Sequence, residues 1–152
     1  MTTARFCETL LLFNERISVC KDFEWIVVGS GASLIQGCPI QPNDLDIMVK
    51  RSSDVKRSAR LFMDLLPETG PSLIFNKHWL SSKRAVTYTV CSEAGTWAFA
   101  RIMIKGFQLE LANTMDQDYA ELSPVVWEKR RLVNYSGIYV PVVPLEMQLE
   151  KH

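Results

Sequence analysis

VVGSGASLIQGCPIQPNDLDIMV, residues 27–49, runs from an apolar stretch through a glycine-punctuated turn and an uncharged loop to two aspartates one residue apart. Side chains of a strand alternate faces, so Asp44 and Asp46 share one face of DLDIMVK while Leu45 and Ile47 take the core side. The aspartates therefore form a carboxylate pair. Such a pair is tolerated where a divalent cation, solvent or a shared proton compensates the charge. Hard oxygen ligands suit magnesium or manganese. Gly29-Ser30-Gly31 stands where the preceding buried strand turns into a short helix, exposing backbone N–H groups and a positive helix end. A triphosphate bridged by metal to Asp44 and Asp46 would suit both halves.

Outward from this stretch, Phe6, Leu10, Phe13 and Ile17 recur at the spacing of one helical face and predict an amphipathic helix over 4–19, with Thr3 as N-cap. EWIVVGS reads as a short buried strand, and GASLIQG as a short helix stopped at Gly37. Val55, Ala59, Phe62 and Leu66 predict a serine-capped helix ending at Pro67. Four β-rich runs follow, PSLIFNKHWLS, RAVTYTVC, TWAFARIMIK and FQLELAN, which predict an antiparallel meander. The stretch from Leu122 to Pro144 reads as extended around a Ser136-Gly137 turn, and Pro144 opens a last helix.

The chain has 152 residues, 47% of them hydrophobic, enough for one domain with a real core, and neither repeat nor linker is visible. Seventeen basic and seventeen acidic side chains give zero formal net charge, which argues against gripping long nucleic acid through its phosphates and leaves room for a local basic patch. Cys7, Cys20, Cys38 and Cys91 are scattered and the two histidines lack zinc-ligand spacing, the pattern of reduced thiols in a cytoplasmic protein. No window has the length and hydropathy of a membrane span, and the N-terminus lacks the features of a secretory leader.

Val28-Gly29-Ser30, thirteen intervening residues and Asp44-Leu45-Asp46-Ile47 resemble the signature of the nucleotidyltransferase superfamily related to DNA polymerase beta. Within it, GSGASLIQGCPIQPNDLDIMV is most similar to the small antibiotic-type and minimal nucleotidyltransferases, as is YVPVVPLEMQLEKH near the C-terminus. The resemblance implies an α/β (α+β) fold with a mixed, mostly antiparallel sheet flanked by helices. It also implies magnesium-dependent transfer of a nucleoside monophosphate from a nucleoside triphosphate, ATP first among them, to a hydroxyl of a small molecule or a protein. Asp44 and Asp46 would hold the metal, and Gly29 with Ser30 the phosphates.

Family members add a third carboxylate from a later strand. In KGFQLELAN, Phe107, Leu109 and Leu111 share one face, leaving Gln108 and Glu110 on the other, so Glu110 is the candidate third ligand and possible proton acceptor. Glu93 sits in a turn-like context and is the lesser choice. Relatives usually carry a basic residue in the loop before the aspartates, and none stands between Gly31 and Asn43. Phosphate neutralisation then falls to Lys50, Lys77, Lys83, Arg84, Arg101 or Lys105. Trp79, Tyr88, Trp97 and Phe99 alternate as core or cross-strand pairs do, with a base or acceptor pocket as the other reading. Lys129-Arg130-Arg131 reads as a solvated run, and Cys38 has no histidine near it to activate a nucleophile.

Two other functions compete. One is a regulatory, antitoxin-like module that keeps the fold and works through a protein partner. The other is a template-dependent or tRNA-directed polymerase, which the missing basic excess disfavours. The short C-terminal remainder leaves a homodimer as one source of an acceptor surface.

Overall fold

The computed structural model describes residues 2–93, 95–113 and 123–149. Its frame is a seven-stranded sheet in the order β3-β4-β5-β2-β1-β7-β6. The strands are β1 Trp25–Val28, β2 Asp44–Val49, β3 Tyr88–Ser92, β4 Gly95–Ile104, β5 Phe107–Asn113, β6 Arg131–Tyr135 and β7 Ile138–Val142. The pairs β1/β2, β3/β4, β4/β5 and β6/β7 are antiparallel, whereas β2/β5 and β1/β7 are parallel. This is the mixed, mostly antiparallel sheet that the sequence implies.

Helix α1, Thr2–Ile17, lays Phe6, Leu10, Phe13 and Ile17 against the sheet, all buried. Helix α3, Ser52–Ala59, lies beside it and brings Val55 and Ala59 into the same core. Phe13 stacks on Phe62 with centroids 6.2 Å apart and meets Trp25 edge-on at 5.0 Å, which ties α1 to the 3-10 turn that follows α3 and to β1. Leu45, Ile47, Leu109 and Leu111 fill the sheet side of this layer. The opposite faces of β2 and β5 carry Asp44, Asp46, Gln108 and Glu110, all half-buried.

Several expectations need correction. The first helix begins at Thr2, which places Thr3 inside it, not at its cap. Arg51 occupies the N-cap of α3, so the serines do not cap it; Asp54 in its first turn is buried and pairs with Arg51 and Arg57 instead. The helical path does not run on evenly to Pro67. It tightens after Ala59 into a 3-10 turn over Arg60–Leu65, with a kink at Phe62 that swings that ring under Phe13.

The four-stranded meander is three-stranded. Residues 71–81 form no strand: Ser72 turns back on Ile74, the Asn76 side chain accepts from the His78 amide, and Phe75 and Trp79 face the sheet as a loop. Of RAVTYTVC only Tyr88 onward is strand. Near the C-terminus, Val126–Lys129 is a short helix, α4, where extended chain was expected, while the Ser136-Gly137 hairpin is present. Helix α5, Leu145–Leu149, follows Pro144 as anticipated. Among the described residues no helix is long and apolar enough to cross a membrane.

Candidate active site

The site is built on the carboxylate face of β2 and β5. The register pairs Asp44 with Gln108 and Asp46 with Glu110, so parallel pairing brings Glu110 directly beside Asp46. Only the tertiary fold makes this neighbour, because the two residues are 64 positions apart in the chain. Burial, with the Glu110 charge second, pushes the Asp44 carboxyl above its ordinary range. Asp46 Oδ1 is wholly buried. A set of hard carboxylate oxygens, partly desolvated and mutually repelling, is chemically suited to a divalent cation such as magnesium.

Gly29 opens helix α2, Gly29–Ile35, with φ of +69°. A Cβ built there would lie 3.4 Å from Asp46 Oδ2, so the residue that needs left-handed backbone also lets the strand-to-helix turn approach the carboxylate closely. The N-cap position is Val28, which makes no side-chain bond to the first-turn amides. Gly31 has a different task. Its Cβ would meet Phe6 Cε1 at 2.7 Å, so its smallness lets α2 pack against α1.

Two glutamines hold α2 in place, and nothing in their sequence context singles them out. Gln36 donates to the Val143 carbonyl at 2.8 Å and accepts from the Leu145 amide at 3.3 Å. Gln148 donates to the Gly29 carbonyl at 2.8 Å. The C-terminal segment therefore fixes the Gly29 turn through hydrogen bonds that span more than a hundred residues.

Glu110 has a partner of its own. Arg101 on β4 lies opposite it in register and donates Nε–H to Oε1 at 2.7 Å, with the two side chains 17% and 25% exposed. The same guanidinium donates to the Asn76 carbonyl at 2.7 Å and lies 4.6 Å from the centroid of the Phe75 ring. Phe75 stacks on Tyr88 at 4.9 Å and contacts Phe99 at the same distance, with Trp79 beside them. Of the aromatics named from sequence, Trp79, Tyr88 and Phe99 thus share one cluster as packing residues. Phe75, its centre, escaped notice because its segment reads as strand.

Asp44, Asp46, Glu110, Gly29 and Ser30 gather at one end of β1, β2 and β5, and Arg101 joins them. Among the described residues no three His, Cys, Asp or Glu side chains stand in a ready metal-ligating arrangement, and the Arg101–Glu110 ion pair supplies a physical reason. Glu93 lies in the β3–β4 turn. Lys50 pairs with Glu24 at 3.1 Å and Lys83 with Glu68 at 3.4 Å. In the Lys129–Arg131 run, Arg130 pairs with Glu24 and Arg131 with Glu146, as a solvated surface does. All four cysteines are free thiols.

No protein-family model and no curated protein sequence matches the chain. Solved structures do. A protein of Thermotoga maritima described as a candidate nucleotidyltransferase superposes with a TM-score of 0.68 at 20% identity, over 99% of this chain and 84% of that one. An antigenic nucleotidyltransferase-like protein from Paracoccidioides brasiliensis matches at a TM-score of 0.44 and 13% identity, over 95% of this chain and 62% of that one. Since the first of these superpositions spans almost the whole of this chain, the fold of this chain is the nucleotidyltransferase fold.

Proposed function

We propose that this chain is a nucleotidyltransferase that moves a nucleoside monophosphate from a nucleoside triphosphate, ATP foremost, to a hydroxyl of a small molecule or a protein. The observation that carries the proposal is the β2/β5 register, which puts Glu110 beside Asp46 and two residues along from Asp44 on one half-buried face. Asp44, Asp46 and Glu110 are the side chains that would hold magnesium or manganese, which supplies Lewis acidity toward the acceptor hydroxyl and the phosphates. A side chain at position 29 would place its Cβ 3.4 Å from Asp46 Oδ2, and the backbone amides of Gly29 and Ser30 would be the donors to phosphate oxygens in this reading. Glu110 is the candidate acceptor of the hydroxyl proton.

Arg101 answers the missing loop cation. Of the six basic residues available, it is the one whose guanidinium already touches a site carboxylate. When Glu110 turns toward the other carboxylates, Arg101 is left facing the same opening, where a planar five-donor cation suits phosphate oxygens.

A regulatory module working through a protein partner is the second reading, favoured by the same ion pair, since Arg101 satisfies Glu110 without any ligand. Magnesium-dependent binding of a non-hydrolysable ATP analogue separates the two. The enzyme reading expects binding by the wild type and its loss in Asp44→Asn and Asp46→Asn, followed by pyrophosphate release with a suitable acceptor. Absence of binding in the wild type overturns it.

A further inference from the structure

On the side of the sheet away from the carboxylates, a cleft of about 400 Å³ is lined by Lys56, Arg60, Lys83 and Arg84 together with Met63 and Thr87. A second hollow of about 240 Å³ shares Lys56 and Thr87 with it and adds the hydroxyls of Ser52, Ser53, Thr89 and Thr96. From this continuous groove of cations and hydroxyls we infer that the protein binds the phosphodiester backbone of a single nucleic-acid strand there. The inference is independent of the proposed transfer reaction.

The cations are placed at a cost. Lys56 and Arg60 stand four residues apart where α3 runs into the 3-10 turn, a spacing at which like charges repel. Lys83 and Arg84 ride on a built turn. The Ser82 side chain, 2% exposed, accepts from the Ala85 amide at 3.1 Å; Ser82 N–H donates to the Ala85 carbonyl at 3.0 Å; and Lys83 N–H donates to the Pro67 carbonyl at 2.8 Å. These bonds hold the turn against the 3-10 segment. Among the described residues, no carboxylate lies within ion-pair distance of Lys56, Arg60 or Arg84, and Lys83 reaches only the exposed Glu68.

Four cations that share a single exposed carboxylate, Glu68, form a positive field that a ligand must supply the charge for. The lining identifies its kind. A protein partner would be met by large aromatic and aliphatic anchors, whereas the apolar lining here is limited to Met63, Val86 and the alanines Ala85 and Ala98, with no aromatic ring. Lys, Arg, Ser and Thr side chains are instead the groups that contact phosphate oxygens along a nucleic-acid backbone. Zero net charge on the whole chain is no obstacle, because it sums the charges and does not locate them.

The test is fluorescence anisotropy of a labelled twelve-nucleotide oligouridine with the full chain, without divalent metal, over a salt series. With four cations engaged, the slope of log affinity against log salt is expected near −3, at about −0.7 per phosphate on a single strand. Lys56→Glu/Arg60→Glu and, separately, Arg84→Glu should each weaken binding by at least about tenfold at low salt, while Lys129→Glu, on the distant solvated run, leaves it unchanged. Circular dichroism confirms that each variant is folded. No binding by the wild type in 50 mM salt, equal binding by the charge-reversed variants, or displacement of the strand by polyglutamate at matched charge concentration each overturns the inference.

Discussion

Asp44→Asn should make the metal-free protein more stable at neutral pH. Burial and the neighbouring Glu110 charge raise the Asp44 carboxyl above its ordinary range, so the folded state resists its ionisation. In the β2/β5 register Asp44 sits two residues from the position opposite Glu110, a diagonal of about 7 Å between such side chains. Coulomb's law for unit charges at that separation gives about 2 kcal/mol at an effective dielectric of 20 and about 0.6 kcal/mol in water. Arg101 offsets part of the Glu110 charge and solvent screens more, leaving about 1 kcal/mol, or 2–4 °C in Tm for a chain of this size.

The sign with pH follows from linkage. A folded-state pKa above the unfolded one stabilises the native state below the unfolded pKa of about 3.9, and that stabilisation is lost as pH rises through the folded pKa. Thermal unfolding of wild type and Asp44→Asn in chelator should therefore differ at pH 7 and converge as pH approaches 3.5. Magnesium at about a hundredfold its Kd should reverse the order, adding about 2.7 kcal/mol to the wild type and little to the variant. A variant less stable than wild type at pH 7 in chelator, or a difference that ignores pH, would refute the electrostatic account of the carboxylate face.

Gly31→Ala should cost about 1–3 kcal/mol in urea unfolding, because its Cβ would enter the Phe6 ring at 2.7 Å and Phe6 is fully buried. Phe13→Ala removes the ring shared by Phe62, Trp25 and Phe23 and should cost about 3–5 kcal/mol by the same measurement. The Arg16 guanidinium, by its hydrogen bond at 2.6 Å, holds the Asp64 carboxyl below its usual range. That contribution is present above the unfolded pKa and is lost as pH falls through the folded one, so Asp64→Asn should flatten the acid side of a Tm–pH curve. Arg101→Met leaves Glu110 without its cation and the Asn76 carbonyl without its donor. It should weaken binding of the ATP analogue by about tenfold or more while leaving far-ultraviolet circular dichroism unchanged.

The carboxylate pair was legible because period-two alternation in DLDIMV puts Asp44 and Asp46 on one face, whatever the strand later pairs with. Glu110 was legible for the same reason: FQLELAN alternates buried and half-buried residues along its whole length. Arg101 could be named from sequence only as one of six bases, since nothing local separates it from Lys105 or Lys77; the antiparallel β4/β5 register does. Residues 71–81 misled because their apolar content matches a strand, whereas Phe75 and Trp79 bury from a turn-rich loop against Tyr88 and Phe99. Gln36 and Gln148 carry no periodic signal at all, because their partners are backbone groups far along the chain.

Sequence by itself determined the elements whose physics is local: the faces of β2 and β5, the apolar stripe of α1, and the glycine turn after β1 that needs left-handed backbone. Tertiary structure alone decided which strands became neighbours. It put Glu110 beside Asp46 through a parallel pairing, set Arg101 against Glu110 through the antiparallel β4/β5 register, and drew four basic side chains into one groove. Alternation fixes which way a side chain points from its own backbone, but long-range register fixes what it meets there, and the chemistry of the site depends on the meeting.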